Sequence, residues 1–313
     1  MSPKALRVVL LLALFAGLLA FASKSGAVQA VIEMIFSGHD LPVPGAPVPA
    51  THARLSEHEI EYINSLPPQQ QAEELVQAAI NHDIGATDMI MQKLESWKAD
   101  LKRTKKWETL EQTALYSNDL RVRAAAIEVA LIAYSVEKDP QWVDRLIESG
   151  EKIHHNRPFD GWVLGMLASR GVESQRVHDK LREWMHDSDQ QTRFWAVEGT
   201  ALIGTDDIIP DLLEVLRKDP SLEVRERGGC SLAKSGMLTR EQRMKAVPGL
   251  IEIAADPSED PTTHSWAFQA LREITNEPVA NDVNAWRNWY DSHGSERTQQ
   301  FHQQDQSQVL GNS

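Results

Sequence analysis

The chain has 313 residues, of which 42% are hydrophobic and 25% charged, a globular composition that can bury a sizeable core. Its formal net charge of −13 argues against a nucleic-acid backbone as the main partner, because such binding depends on Lys and Arg contacts to phosphates. The single cysteine, Cys230, excludes an intramolecular disulfide, so the hydrophobic core must stabilise the fold.

The first thirty residues have the pattern of an export signal. Lys4 and Arg7 precede an apolar run from Val8 to Ala22, which is shorter than the roughly 20 residues of a membrane-spanning helix. This length favours a cleaved signal peptide, while a further apolar stretch over 27–36 leaves an uncleaved signal anchor open. Both alternatives predict an exported protein, in the periplasm or on the extracytoplasmic face of the membrane, either secreted or anchored through residues 1–30.

Residues 31–55 are predicted to form a linker, because Pro42, Pro44, Pro47 and Pro49 lie close together. An N-terminal helical cap, or degenerate repeats, is expected over 56–118. It begins with a capping box at Ser56-Glu57-His58-Glu59, and further helices are predicted over 69–82, 88–106 and 107–116. The Gln-rich segment 295–313 has little to bury and is predicted to be disordered.

Between these segments a helical pattern recurs five times. The copies begin at residues 123, 160, 193, 225 and 264, and the positions at offsets +3, +4, +7, +8 and +11 are mostly small or apolar. These offsets share one face of a helix. Three copies end in Gly171, Gly204 and Gly236, where a left-handed helix cap is expected. Another amphipathic helix follows each copy, so the unit is a helix pair that buries its faces only by stacking on neighbours.

The segments Leu120-Arg121-Val122-Arg123 and Leu222-Glu223-Val224-Arg225 resemble the D-x-x-V-R-x-x-A-A-x-x-L signature of HEAT repeats, and Pro210 and Pro248 resemble the proline of that family's first helix. The pattern is also similar to the HEAT-like repeats of phycobilisome lyases. Asp160 and His264 replace the signature arginine, so those two copies are divergent. The resemblance implies an all-α fold, an α-solenoid of stacked HEAT-like helix pairs, with the array over 119–294.

No catalytic, nucleotide-binding or calcium-binding motif occurs in the sequence. His154 and His155 are adjacent, and His178 and His186 are eight residues apart, which fits exposed histidines better than a metal site. Cys230, beside Gly228 and Gly229, fits packing better than chromophore or redox chemistry. We therefore expect no enzyme activity, no cofactor and no metal.

A candidate binding face follows from the repeat register. In solenoids of this type the second helices line the concave surface, and offset +2 holds Trp162, Trp195, Arg227 and Trp266 opposite the buried stripe. Glu198 belongs to the neighbouring +5 column, with Glu128 and Gln269. Trp and Arg dominate many binding interfaces, so these residues are candidates for contacting a partner. The alternative is that the indoles fill the seams between repeats and serve only the core.

The leading hypothesis is therefore a non-catalytic scaffold that binds a protein or peptide in the cell envelope through its concave face. A second hypothesis is an envelope structural protein that binds an anionic polymer or membrane surface through a basic patch, formed by Lys98, Lys102, Arg103, Lys105 and Lys106. A third is a lyase-like or accessory enzyme subunit.

Overall fold

A computed structural model describes residues 53–310 of the chain, and the architecture over this range is an all-α solenoid. The helices are α1 (Glu57–Ser65), α2 (Pro68–Ile80), α3 (Ala86–Trp97), α4 (Lys105–Leu115), α5 (Leu120–Ala133), α6 (Pro140–Lys152), α7 (Arg157–Ser169), α8 (Ser174–Trp184), α9 (Gln190–Ile203), α10 (Ile209–Lys218), α11 (Leu222–Ala233), α12 (Arg240–Met244), α13 (Val247–Ala255), α14 (Pro261–Thr275) and α15 (Val283–Leu310). Short 3₁₀ turns at His154–Asn156 and Asp206–Ile208 precede α7 and α10. Among these residues no helix is long and apolar enough to cross a membrane.

The export signal, and all of the linker except its last three residues, lie outside the described residues. The predicted capping box is present: the Ser56 hydroxyl accepts from the Glu59 amide at 3.3 Å, and Glu59 accepts from the Ser56 amide at 2.8 Å. The helix predicted over 88–106 instead ends at Trp97. A turn follows, and Thr104 then caps α4 by accepting from the Trp107 amide at 3.0 Å.

All five predicted copies are helices, namely α5, α7, α9, α11 and α14, each paired with the helix before it. The left-handed ends are confirmed, with φ of +82° at Gly171, +74° at Gly204 and +73° at Gly236. Helix α7 packs on α9, α9 on α11 and α11 on α14, so the second helices of successive repeats form a continuous stack. The apolar positions of α10 at helical spacing face the core: Ile209, Leu212 and Leu216 are buried, and Leu213 is partly buried.

The closest approach in this stack is between α7 and α9. A Cβ added to Gly165 would lie 2.2 Å from the carbonyl oxygen of Gly199, and one added to Gly199 would lie 2.3 Å from the carbonyl oxygen of Gly161. Only glycine permits backbones to pack at this distance. These glycines therefore set the spacing between the second and third repeats.

Ion pairs also connect successive repeats. In each case an arginine near the start of the second helix of one repeat contacts an aspartate. This aspartate lies just before the second helix of the following repeat. The pairs are Arg157–Asp187, Arg193–Asp219 at 2.8 Å and Arg225–Asp260 at 2.6 Å. The middle pair is buried and bidentate, a geometry that adds directional specificity to the attraction.

The prediction of disorder is wrong for residues 295–310, because α15 continues to Leu310. Its Phe301 is buried, with the guanidinium groups of Arg240 and Arg297 over the ring. Arg240 Nε also contacts Asp305 at 3.2 Å. Glutamine is a good helix former, so a Gln-rich segment becomes helical once a few anchors hold it against the array.

Candidate partner-binding face

The predicted tryptophan column is partly assembled. The rings of Trp162 on α7 and Trp195 on α9 meet edge to face, with centroids 5.1 Å apart, and both side chains are partly buried. Arg227 on α11 occupies the next position in the column. Trp266 on α14 is partly buried and packs against the core, and none of its described contacts joins it to the Trp162–Trp195 pair.

The pair belongs to a larger set of rings, which we name the aromatic face. Its members are contributed by the α4–α5 connection, the end of α5, α7 and α9, and they are Tyr116, Tyr134, Phe159, Trp162, Phe194 and Trp195. Tyr134 meets Phe159 edge to face at 5.4 Å, and Phe194 meets Trp195 at 5.7 Å. Phe159 is 42% exposed. The face thus combines fixed rings with solvent access, the combination found where proteins bind one another.

The expectation that the +5 column is exposed is wrong for Glu128 and Glu198, which are buried, whereas Gln269 is exposed. Glu198 is 5% exposed and accepts from the Tyr116 hydroxyl at 3.0 Å. Its Oε1 also lies 3.1 Å from Nε of Arg227. Burial raises the pKa of Glu198, and the Arg227 charge and the Tyr116 hydroxyl partly offset that rise. A helical wheel could not foresee this, because Tyr116 comes from another part of the chain.

Arg227 is likewise held by its own chain. Its guanidinium carbon lies 5.7 Å from the centre of the Tyr116 ring and 5.4 Å from that of Phe194. Burial also raises the pKa of the Tyr116 phenol, and the Glu198 charge raises it further. Of the predicted binding residues, Glu198 is buried, whereas Trp162, Trp195, Arg227 and Trp266 are partly exposed. Arg227 is engaged by Glu198 and by the rings of Tyr116 and Phe194.

The other end of the aromatic face is organised around Arg103. Its guanidinium carbon lies 5.7 Å from the Tyr134 ring centre and 5.9 Å from that of Phe159. The Tyr134 hydroxyl donates to Glu111 at 2.7 Å. Burial raises the pKa of Glu111, while the hydrogen bond from Tyr134, the charge of Arg103 and the Trp162 indole lower it. Glu111 thereby ties α4 to the tryptophan pair.

The predicted basic patch is exposed but largely neutralised. Lys98 lies 2.6 Å from Glu95, Arg103 lies 2.9 Å from Glu108, and Lys106 lies 3.0 Å from Glu74. Of the five residues of this patch, Lys102 and Lys105 have no acidic partner among the ion pairs of the described residues. A surface with this balance of charge has little net attraction for an anionic polymer.

The exposed placement predicted for the histidines is correct for His154, His155 and His186 and wrong for His178, which is 1% exposed. Its Nδ1 lies 3.0 Å from Asp207 and its Nε2 lies 2.7 Å from Asp211. The hydrogen bond to Asp211 raises the pKa of His178. Both aspartates lie about one repeat further along the chain than His178. Two acidic residues four positions apart, one repeat after a histidine, are therefore the sequence pattern that could have indicated this contact. Within the described residues, no group of three or more His, Cys, Asp or Glu could hold a metal ion.

Cys230 lies on α11 and is partly buried. Burial raises the pKa of its thiol, although Arg227 and Lys234 partly oppose the rise. A raised pKa reduces the thiolate fraction on which nucleophilic or redox chemistry depends. The environment of this thiol therefore gives the enzyme hypothesis no support.

Comparison with protein families matches residues 178–272 to HEAT repeats, a segment that begins within α8 and ends within α14. No curated protein matches the chain. HEAT repeats generally serve as scaffolds for protein interactions and are typically non-catalytic. The resemblance to the repeats of phycobilisome lyases stays a prediction.

Proposed function

We propose that this HEAT-repeat protein is a non-catalytic scaffold that binds a protein or peptide partner in the cell envelope through its aromatic face. The observation that carries the proposal is the Trp162–Trp195 pair, in which two indole rings are fixed against each other while both side chains keep part of their surface accessible. A partner that covers these rings gains apolar burial without having to order them first.

The surroundings of the pair support this assignment. The indole of Trp162 interacts with the buried carboxyl group of Glu111, and the rings of Phe194 and Trp195 meet edge to face. Buried polar contacts of this kind hold the rings in one orientation, and an interface is strengthened when its anchors are fixed before binding. Trp266 lies two repeats further along and would extend the contact for a long partner.

The envelope location rests on the sequence. The charged start and apolar run of residues 1–30 are typical of a segment that directs the following chain across a membrane. Fusion of a reporter that is active only outside the cytoplasm to residue 313 tests this part independently of binding. Activity that disappears when residues 1–30 are deleted is the expected result, and an inactive reporter on the full chain would contradict export.

The binding proposal is tested by quantitative affinity capture from envelope extract with the full chain and two variants. Trp195→Ala removes one ring of the pair. Trp289→Ala removes a comparable, partly buried indole that contacts Trp286 and His293 on α15, and serves as the matched control. We expect a partner that Trp289→Ala retains and Trp195→Ala loses, with both variants close to the parent in helicity and melting temperature. A partner that Trp195→Ala retains would contradict the proposal.

A further inference from the structure

Two arginines of this chain already lie over rings of the aromatic face. Arg103 lies over Tyr134 and Phe159, with distances of 5.7 and 5.9 Å to the ring centres. Arg227 lies over Tyr116 and Phe194, at 5.7 and 5.4 Å. In both places a guanidinium is shared by two aromatic rings, a geometry in which the negative ring faces attract the cation.

The Trp162–Trp195 pair lies between these two sites. Trp162 is one helical turn from Phe159 on α7, and Trp195 is next to Phe194 on α9. Among the cation–ring contacts of the described residues, none involves either indole. Indole attracts cations more strongly than the phenyl and phenol rings at the two flanking sites. The most favourable rings of the face are thus the ones without a cation from their own chain.

The charges behind the pair favour a positively charged occupant. The buried carboxyl group of Glu111 interacts with the indole of Trp162, and this interaction helps to lower the pKa of Glu111. Arg103 forms its ion pair with Glu108, at 2.9 Å, and its charge also lowers the pKa of Glu111. The described hydrogen bonds of Glu111 come from Tyr134. At long range, the net charge of −13 attracts basic segments and repels acidic ones.

We propose that the Trp162–Trp195 pair is a receptor for an arginine side chain presented by a basic segment of the protein partner. The bound guanidinium would lie between Arg103 and Arg227, so that three cations alternate with the rings of the aromatic face. This inference rests on the proposed scaffold function and adds the chemical class of the ligand. Such a site makes the aromatic face bind basic segments in preference to acidic or purely apolar ones.

The test uses the full chain and two synthetic dodecapeptides with a glycine–serine background. One peptide carries three arginines, and the other carries citrulline at the same three positions, which keeps the shape and removes the charge. Isothermal titration calorimetry and tryptophan fluorescence are measured at 150 mM and 500 mM salt. We expect the arginine peptide to bind about tenfold more tightly than the citrulline peptide at both salt concentrations.

Three variants locate the effect. Trp195→Leu is expected to abolish the preference, Trp195→Phe to reduce it because phenyl attracts cations less strongly, and Trp289→Leu to leave it unchanged. Because Trp195→Leu could alter folding, the Trp195→Phe result is decisive if the melting temperature of the leucine variant falls. Equal binding of the two peptides, a preference that disappears at 500 mM salt, or one that survives in both Trp195 variants would overturn the inference.

The two proposals fail separately. A partner that depends on Trp195 in the capture experiment, together with no preference for arginine, leaves the scaffold proposal standing and removes this inference. A preference for arginine that depends on Trp195, without any partner captured through Trp195, supports the arginine site and contradicts the scaffold proposal.

Discussion

Arg123 donates a hydrogen bond from Nη2 to the carbonyl oxygen of Lys234 at 2.6 Å, although the two residues are 111 positions apart. The same guanidinium donates to the carbonyl oxygens of Ser117, at 2.5 Å, and Gly236. Arg123 is 1% exposed, and burial lowers its pKa to about 10. The signature arginine of the first copy therefore joins α5 to the end of α11 instead of reaching an aspartate of the next repeat.

This contact should matter for stability. Arg123→Met keeps the apolar stem of the side chain but leaves three carbonyl oxygens without their donor, and we expect a loss of about 2–3 kcal/mol in the free energy of unfolding. Equilibrium denaturation in urea measures it. Arg145→Met, at an exposed position on α6, is the control and should stay within about 0.5 kcal/mol. Similar losses in both variants would contradict the assigned contact.

The approach of α7 to α9 makes Gly199 intolerant of substitution. Gly199→Ala places a Cβ 2.3 Å from the Gly161 carbonyl oxygen, so the helices must separate, and we expect a loss of at least about 2 kcal/mol. Gly229→Ala, on α11, is the matched control because its Cβ would lie 3.4 Å from Leu216, an ordinary contact. That variant should be unchanged or stabilised by up to about 1 kcal/mol. Melting curves for the pair provide the measurement, and equal effects would count against the close approach.

His178 gives the junction between α8 and α10 a defined pH dependence. The groups that face it are Asp207, Asp211 and Arg182, and Arg182 also contacts Asp179. Because the pKa of His178 is raised, its contribution is fully present below the unfolded value of about 6.5 and is lost as pH rises through the folded value.

Comparison of the parent with His178→Gln tests this linkage. The difference in free energy of unfolding between the two proteins should be largest near pH 5.5 and should decrease as pH rises above about 6.5. Urea denaturation at half-unit intervals from pH 5 to 9 measures the difference. A difference that stays constant or grows with pH would show that the imidazolium is not what the two aspartates stabilise.

Asp160 should behave in the opposite way. It is 4% exposed, its Oδ2 has no hydrogen-bond partner among the described residues, and burial raises its pKa to about 6. An acid with a raised pKa reduces stability once it ionises, so the free energy of unfolding falls as pH rises from about 4 to 6.

Asp160→Asn removes this ionisation and should stabilise the protein by about 2–3 kcal/mol at pH 7, with little change at pH 4. Thermal melts at the two pH values measure the effect, and Asp291→Asn, at an exposed position on α15, is the control. Destabilisation of Asp160→Asn at pH 7 would indicate that the carboxylate has a favourable partner.

The parts of the structure that the sequence predicted are the local ones. The five copies and their glycine ends were identified because helix periodicity and left-handed caps depend on neighbouring residues. The partners of Tyr116 on α9 and α11, and the partner of Arg123 at the end of α11, were missed because they lie about 80 to 110 residues away. A wheel for one helix placed Glu198 opposite the apolar stripe of α9, but it contained no information about what covers that side.

In the candidate site, too, the local features were predicted and the contacts between distant segments were missed. Trp162 and Trp195 were found from register alone, because equivalent positions of stacked helices come into contact. Their connection to Tyr134, Phe159 and Arg103 required knowledge of how α4 and α5 meet α7, and no repeat pattern encodes that. The tail was missed for a related reason, since its anchors, Arg240 and Glu277, lie outside the segment itself.

The most direct test of the binding face is site-specific photo-crosslinking in intact cells. Phe159→p-benzoylphenylalanine places the crosslinker on the exposed edge of the aromatic face, and Leu222→p-benzoylphenylalanine places it at a comparably exposed position, 52% accessible, outside that face. A discrete adduct from position 159 that is absent from position 222, and that Trp195→Ala abolishes, is the result the proposed function predicts. An adduct from position 159 that is unaffected by Trp195→Ala, or one that forms only at position 222, would contradict it.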